Sequence, residues 1–145
     1  MSKKIVNRGK SRPIAYSIER IELIEKKINT EYKPKNEDDI TFKLAVDLTA
    51  NNQKSLLLVK IGCSFSFDGD VEIFSMIVDN EYYISNLKSY IVNKKFSEKG
   101  FIEYIADLSL SHVRGIQSTI INGTSLERLF VPVLQLDNVA NEPIA

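Results

Sequence analysis

Phe101–Thr124, FIEYIADLSLSHVRGIQSTIINGT, is the stretch on which the fold turns. Phe101, Ile105, Leu108, His112, Ile116 and Ile120 recur at helical spacing and predict one apolar face, which Val113 and Ile121 widen. Ala106, Ser109 and Gly115 are small enough to let a sheet or a second helix approach closely. A glycine inside a helix costs roughly 1 kcal/mol against alanine, so Gly115 points to close packing or a kink. Ser97 is the expected N-cap, with Glu98 in the electropositive first turn. Asn122-Gly123 supplies the stop, since glycine takes the left-handed conformation past a helix end. A face this wide must lie on something, and the chain before it is rich in strand patterns. The expected architecture is α+β, one long helix laid across one antiparallel sheet.

Working back from the helix, Ile40–Thr49 alternates Ile40, Phe42, Leu44, Val46 and Leu48 with mostly polar partners and predicts a strand. Ser55–Phe67 is a stronger one, with Leu57, Val59, Ile61, Cys63, Phe65 and Phe67 on one face. Asp68-Gly69 signals a hairpin, and Val71–Val78 returns as a third strand. Both of its faces are apolar: Val71, Ile73 and Ile77 on one, Phe74, Met76 and Val78 on the other. One helix covers one face, so the second apolar face predicts self-association. A short break at Asp79–Glu81 precedes an extended Tyr82-Tyr83-Ile84. Ile14–Tyr32 fits two templates. Ile18, Ile21, Ile24 and Ile28 fit a helix, slightly ahead on pattern alone; Ile14, Tyr16, Ile18, Ile21 and Leu23 fit a strand with a bulge. Beyond the helix, Ser125–Leu136 (SLERLFVPVLQL) is very apolar and has no clean period.

The 145 residues suit one domain, read as a flexible basic arm over 1–13, a body over 14–139 and a frayed tail over 140–145. A formal net charge of zero provides no global field toward nucleic acid or membrane, and a role in either is not expected. No apolar run nears the ~20 residues that span a bilayer, and no secretory signal is visible, so a cytoplasmic location is expected. One cysteine and one histidine cannot build a structural zinc site. No phosphate loop and no nucleophile–base arrangement appears. No catalytic residue, metal or cofactor is assigned, and no enzyme is expected. His112 reads as a satisfied, partly buried histidine, and Cys63 as a buried, inert thiol.

The order of elements resembles the protein-export chaperone SecB and its wider SecB-like group. The likeness runs from about Ile18 to Val139 and rests on pattern. Ile18-Glu19-Arg20-Ile21 with Glu22-Leu23-Ile24-Glu25 is similar to the family's first strand. Leu57–Phe67, Val71–Val78 and Tyr82-Tyr83-Ile84-Ser85 are similar to its central strands and the segment after them. Ile105–Gly115, ending Ser111-His112-Val113-Arg114-Gly115, resembles its long helix, and Gly123-Thr124 through Pro132-Val133 its post-helix loop. The resemblance implies a four-stranded antiparallel sheet with a long helix, and so a strand over Ile18–Tyr32. It also implies dimers or tetramers, and an ATP-independent holdase for unfolded, export-bound polypeptides. Phe74, Met76, Val78 and Asn80 match the family's oligomer positions. The export motor ATPase is a further partner by resemblance, but Ile77 stands where the family carries a docking carboxylate. A short or missing second helix and the lack of a docking tail also count against it. Some members serve dedicated partners such as antitoxins, which is the alternative. The client surface is expected at Tyr82, Tyr83, Leu126, Leu129, Phe130, Val131 and Leu134, unless the connector instead completes the core.

Overall fold

The computed structural model describes residues 3–6, 13–29, 31, 40–67, 71–132 and 136–145. Its centre is an antiparallel sheet of four long strands: β2 (Ile14–Ile28), β3 (Ile40–Asn51), β4 (Leu56–Phe67) and β5 (Val71–Ile84). A short strand, β1 (Lys3–Val6), extends one edge, and the spatial order is β1-β2-β5-β4-β3. A small hairpin, β6 (Ile91–Val92) with β7 (Lys95–Phe96), leads into α1 (Lys99–Ile121). Among the described residues no helix is long and apolar enough to cross a membrane.

Register explains which face is buried. Phe42, Leu44, Val46 and Leu48 of β3 stand opposite Phe65, Cys63, Ile61 and Val59 of β4. Those in turn face Phe74, Met76, Val78 and Asn80 of β5. Side chains alternate across a pleated strand, so these rows share one face. The β4 and β5 members of the rows are all buried. Helix α1 lies on this inner face, touching β2, β4 and β5. Phe101, Ile105, Leu110 and Val113 are buried there.

β2 is a strand over its full length, not the helix that pattern alone favoured. Its pairing with β5 shifts register between Ile18 and Arg20 and again between Leu23 and Glu25. Each bulge inserts one residue and turns a spacing of two into three. Ile18 and Ile21 therefore mimic helical spacing while standing on the same sheet face. β5 is likewise one continuous strand through Asp79–Glu81, where the sequence suggested a break. Asn80 points inward there, and its polar side chain is satisfied: Nδ2 donates to the Val59 carbonyl at 3.2 Å.

The ends depart from expectation. Lys3–Val6 of the supposed flexible arm pairs antiparallel with Ile14–Ser17. The supposed frayed tail begins inside a short 3-10 helix, Asp137–Asn141. Ile144 is buried and bridges Leu48, and the Ala145 amide donates to the Leu48 carbonyl at 2.9 Å. An edge strand offers unpaired backbone groups, and the tail satisfies some of them on β3. The Asp68-Gly69 turn signal lies outside the described residues.

The helix start and stop also shift slightly. Glu98 occupies the N-cap without a side-chain cap hydrogen bond, and the Ser97 amide donates to the Tyr90 carbonyl. Gly123 takes φ +77°, as its place past the helix requires. Ala106 and Ser109 are buried against the sheet, whereas Gly115 is exposed, with nothing within 4 Å of a Cβ placed there. Close packing at Gly115 is therefore not what the structure shows.

Candidate functional site

The buried centre of α1 is Ile102, Ala106, Leu110, Val113 and Gln117. On a helix of 3.6 residues per turn, Arg114 lies on one flank of this line, and His112, Ile116 and Ile120 on the other. The first flank is taken by the post-helix connector. Gln117 Nε2 donates to the Leu129 carbonyl at 2.8 Å, and Arg114 Nη2 to the Pro132 carbonyl at 2.9 Å. The second flank is open. Together with Ile21 of β2, His112, Gly115, Ile116, Thr119 and Ile120 line a groove of about 420 Å³. Ile21 is 42 % exposed and Ile24 46 %. Exposed Ile21 facing half-buried Ile116 and Ile120 gives the groove an apolar lining that gains from an apolar occupant.

His112 lines this groove in a fixed orientation. Its Nδ1 lies 2.8 Å from Asn80 Oδ1, whose amide nitrogen is committed to Val59. Burial pushes the imidazole below the ordinary histidine range. Further along the helix, Ser109 Oγ donates to the Ile105 carbonyl and accepts from the Tyr82 hydroxyl at 2.6 Å. Burial pushes the Tyr82 phenol up to about 12. The Tyr16 and Tyr104 hydroxyls meet at 2.8 Å, and Tyr16 packs edge-on against Phe101 and Tyr82. Buried hydroxyls that are paired in this way fix the helix on the sheet.

The sheet's outer face carries two further features. Arg20 forms ion pairs with Glu22, Asp79 and Glu81, and Lys60 Nζ lies 4.0 Å from Asp79 Oδ1. Next to this network, Ala45, Gly62, Ser75 and Ile77 border a shallow depression of about 430 Å³, with Glu25 and Lys43 at its margin. Among the described residues no group of three or more His, Cys, Asp or Glu could hold a metal ion.

The residues expected to bind clients separate. Tyr82, Leu126, Leu129 and Val131 are buried in the core and are not open to a client in this conformation. Tyr83 is half-buried, Phe130 is 65 % exposed, and Leu134 lies outside the described residues. The connector thus folds back on the helix, the alternative reading of its apolar content. Phe74, Met76, Val78 and Asn80, expected at an oligomer interface, are all buried beneath α1. Helix α1 covers that face, and on the opposite face Ile77 is half-buried. Cys63 is buried as expected, and its thiol is pushed up to about 11 by desolvation.

Sequence reasoning missed the groove. Its signal was nonetheless present, since Ile116 and Ile120 belong to the helical stripe and Ile21 to both readings of β2. The stripe runs along the edge of the buried face, not its centre.

No family model and no curated protein matches this chain. Among solved structures it is similar to the SecB-like chaperone Rv1957 of Mycobacterium tuberculosis, solved in complex with a ChAD peptide from the Rv1956 HigA1 antitoxin. The match covers 82% of this chain and 90% of that one, at 13% identity and a TM-score of 0.53. The chain therefore has a SecB-like fold: a four-stranded antiparallel core sheet with one long helix.

Proposed function

We propose that this protein is a chaperone-like binding module that holds extended, apolar polypeptide segments without ATP, and that it is not an enzyme. The observation that carries the reading is the open groove between α1 and β2, lined by Ile21, Ile116 and Ile120. The peptide bound in the structurally similar SecB-like chaperone supports a polypeptide as the occupant. Each large apolar side chain fully buried there contributes about 1.5–3 kcal/mol, less the cost of ordering the client. A few such contacts give reversible holding. The client surface proposed here replaces the connector.

Ile21→Ser tests it, because Ile21 lines the groove and is 42 % exposed, so its loss should cost little stability. The variant should melt within a few degrees of wild type and suppress aggregation of an unfolded client less well. Phe130→Ser, on the opposite flank of the helix, should protect as wild type does. An Ile21→Ser protein that protects fully removes the groove from the function.

A dedicated partner is the second reading, and the antitoxin peptide in the similar structure is the observation that favours it. Capture from the native host separates them: one recurrent partner supports dedication, a broad set of unfolded proteins supports general holding. Cytoplasmic location, service to export, docking on an export ATPase and assembly into dimers or tetramers belong to the broader reading.

A further inference from the structure

We infer that His112 is a proton-operated gate on the groove: neutral, it admits apolar side chains, and charged, it turns them out. The inference rests on the groove being the polypeptide site.

The hydrogen bonds assign the protons. Asn80 Nδ2 donates to the Val59 carbonyl, so Asn80 turns Oδ1, an acceptor, toward His112 Nδ1 at 2.8 Å. Nδ1 must therefore carry the proton, and in the neutral ring Nε2 is a bare acceptor. Protonation adds a proton at Nε2 and leaves the Asn80 bond intact. The ring gains a full charge without needing to reorient, on the wall it shares with Ile21, Ile116 and Ile120.

The neighbouring charges do not offset that change. On β2, Arg20 and Glu22 flank Ile21 and lie on the outer face, where Arg20 pairs with Glu22, Asp79 and Glu81. On β5, Asp79 and Glu81 flank Asn80 and also point outward, and Lys60 of β4 joins them. Lys26, opposite Met76, is the charged residue of β2 on the groove's side and is itself exposed to water. On α1, Asp107 is exposed and Arg114 is turned to the connector. Burial is the cause that lowers the imidazole's proton affinity. An apolar occupant would remove more water from the ring, so occupancy and protonation oppose each other by linkage.

The test uses the whole protein and a fluorescent, reduced and carboxymethylated lactalbumin as an unfolded probe. Between pH 7.5 and 5.0 the wild-type Kd should rise, by up to about tenfold per pH unit, the limit for one coupled proton. His112→Asn keeps an N–H for Asn80 Oδ1 and should lose this pH dependence. His112 is the chain's one histidine, so its ring resonances report directly. Saturating probe should lower their titration midpoint in wild type. A wild-type affinity that is flat with pH, an equal dependence in His112→Asn, or an unmoved midpoint would overturn the gate. Ile21→Ser keeps the two ideas apart: weaker binding with no pH effect ends the gate alone, and unchanged binding ends the groove.

Discussion

Leucine in place of Gly115 separates the packing of α1 from the occupancy of the groove. A Cβ at this position meets nothing within 4 Å, and the residue is exposed inside a 23-residue helix, about two turns from its C-terminal end. Glycine is worse than alanine in a helix interior by about 0.8–1.0 kcal/mol, and leucine is nearly as good as alanine. Both Gly115→Ala and Gly115→Leu should therefore stabilise, by roughly 0.5–1 kcal/mol after partial exposure of the new side chain. For a domain of this size that is a rise of about 2–4 °C in Tm. Gly115 also borders the groove with Ile116 and Thr119, so leucine projects into space that an occupant would use. Alanine fills little of it. Chemical denaturation and suppression of client aggregation would be measured on the same preparations. The expected pattern is two stabilised proteins, of which only the leucine variant protects poorly. Loss of 1 kcal/mol or more in the leucine variant would mean that a neighbour packs on Gly115. Full protection by that variant would mean that the groove stays empty in function.

Leu126→Ala should cost about 2–5 kcal/mol by leaving a cavity in a fully buried site, while Phe130→Ser should change stability by less than about 0.5 kcal/mol. Urea melts of the pair check the inward fold of the connector, which equal effects would contradict. Met76→Arg places an unpaired charge beneath α1 and should destabilise by several kcal/mol; a folded monomer of near-normal stability would restore the residue to an interface. Tyr82→Phe leaves Ser109 without its donor and should cost about 0.5–1.5 kcal/mol, read by thermal melting. The lowered His112 pKa fixes the sign of a pH effect on stability. The unfolded state binds the proton first, so stability should fall as pH drops below the ordinary histidine value through the folded one. His112→Asn should flatten that part of the profile in melts taken from pH 7.5 to 5.

The chain's local chemistry determined most of the fold. Strict alternation fixed β3 and β4, because a one-residue slip would turn every apolar side chain to the wrong face. The spacing of Phe101, Ile105, Ile116 and Ile120 fixed a helix, and the Asn122-Gly123 pair its stop. Three matters were settled only by tertiary contacts. β2 reads as helix or strand until β5 pairs with it, since two bulges convert its period from two to three around Glu19 and Ile24. The two apolar faces of β5 are equivalent in sequence. α1 and the connector chose the Phe74–Met76–Val78 face, and the oligomer positions expected there became core. The apolar connector could equally have lined a groove or closed one. Gln117 and Arg114, two polar side chains on the helix, captured its carbonyls and turned Leu126, Leu129 and Val131 inward. With that flank filled, the opposite flank of α1 was left open beside Ile21. Periodicity marks which residues are apolar, but it does not say which part of a wide apolar stripe another segment will cover. That depends on where distant backbone acceptors lie, and they are placed only when the chain has folded.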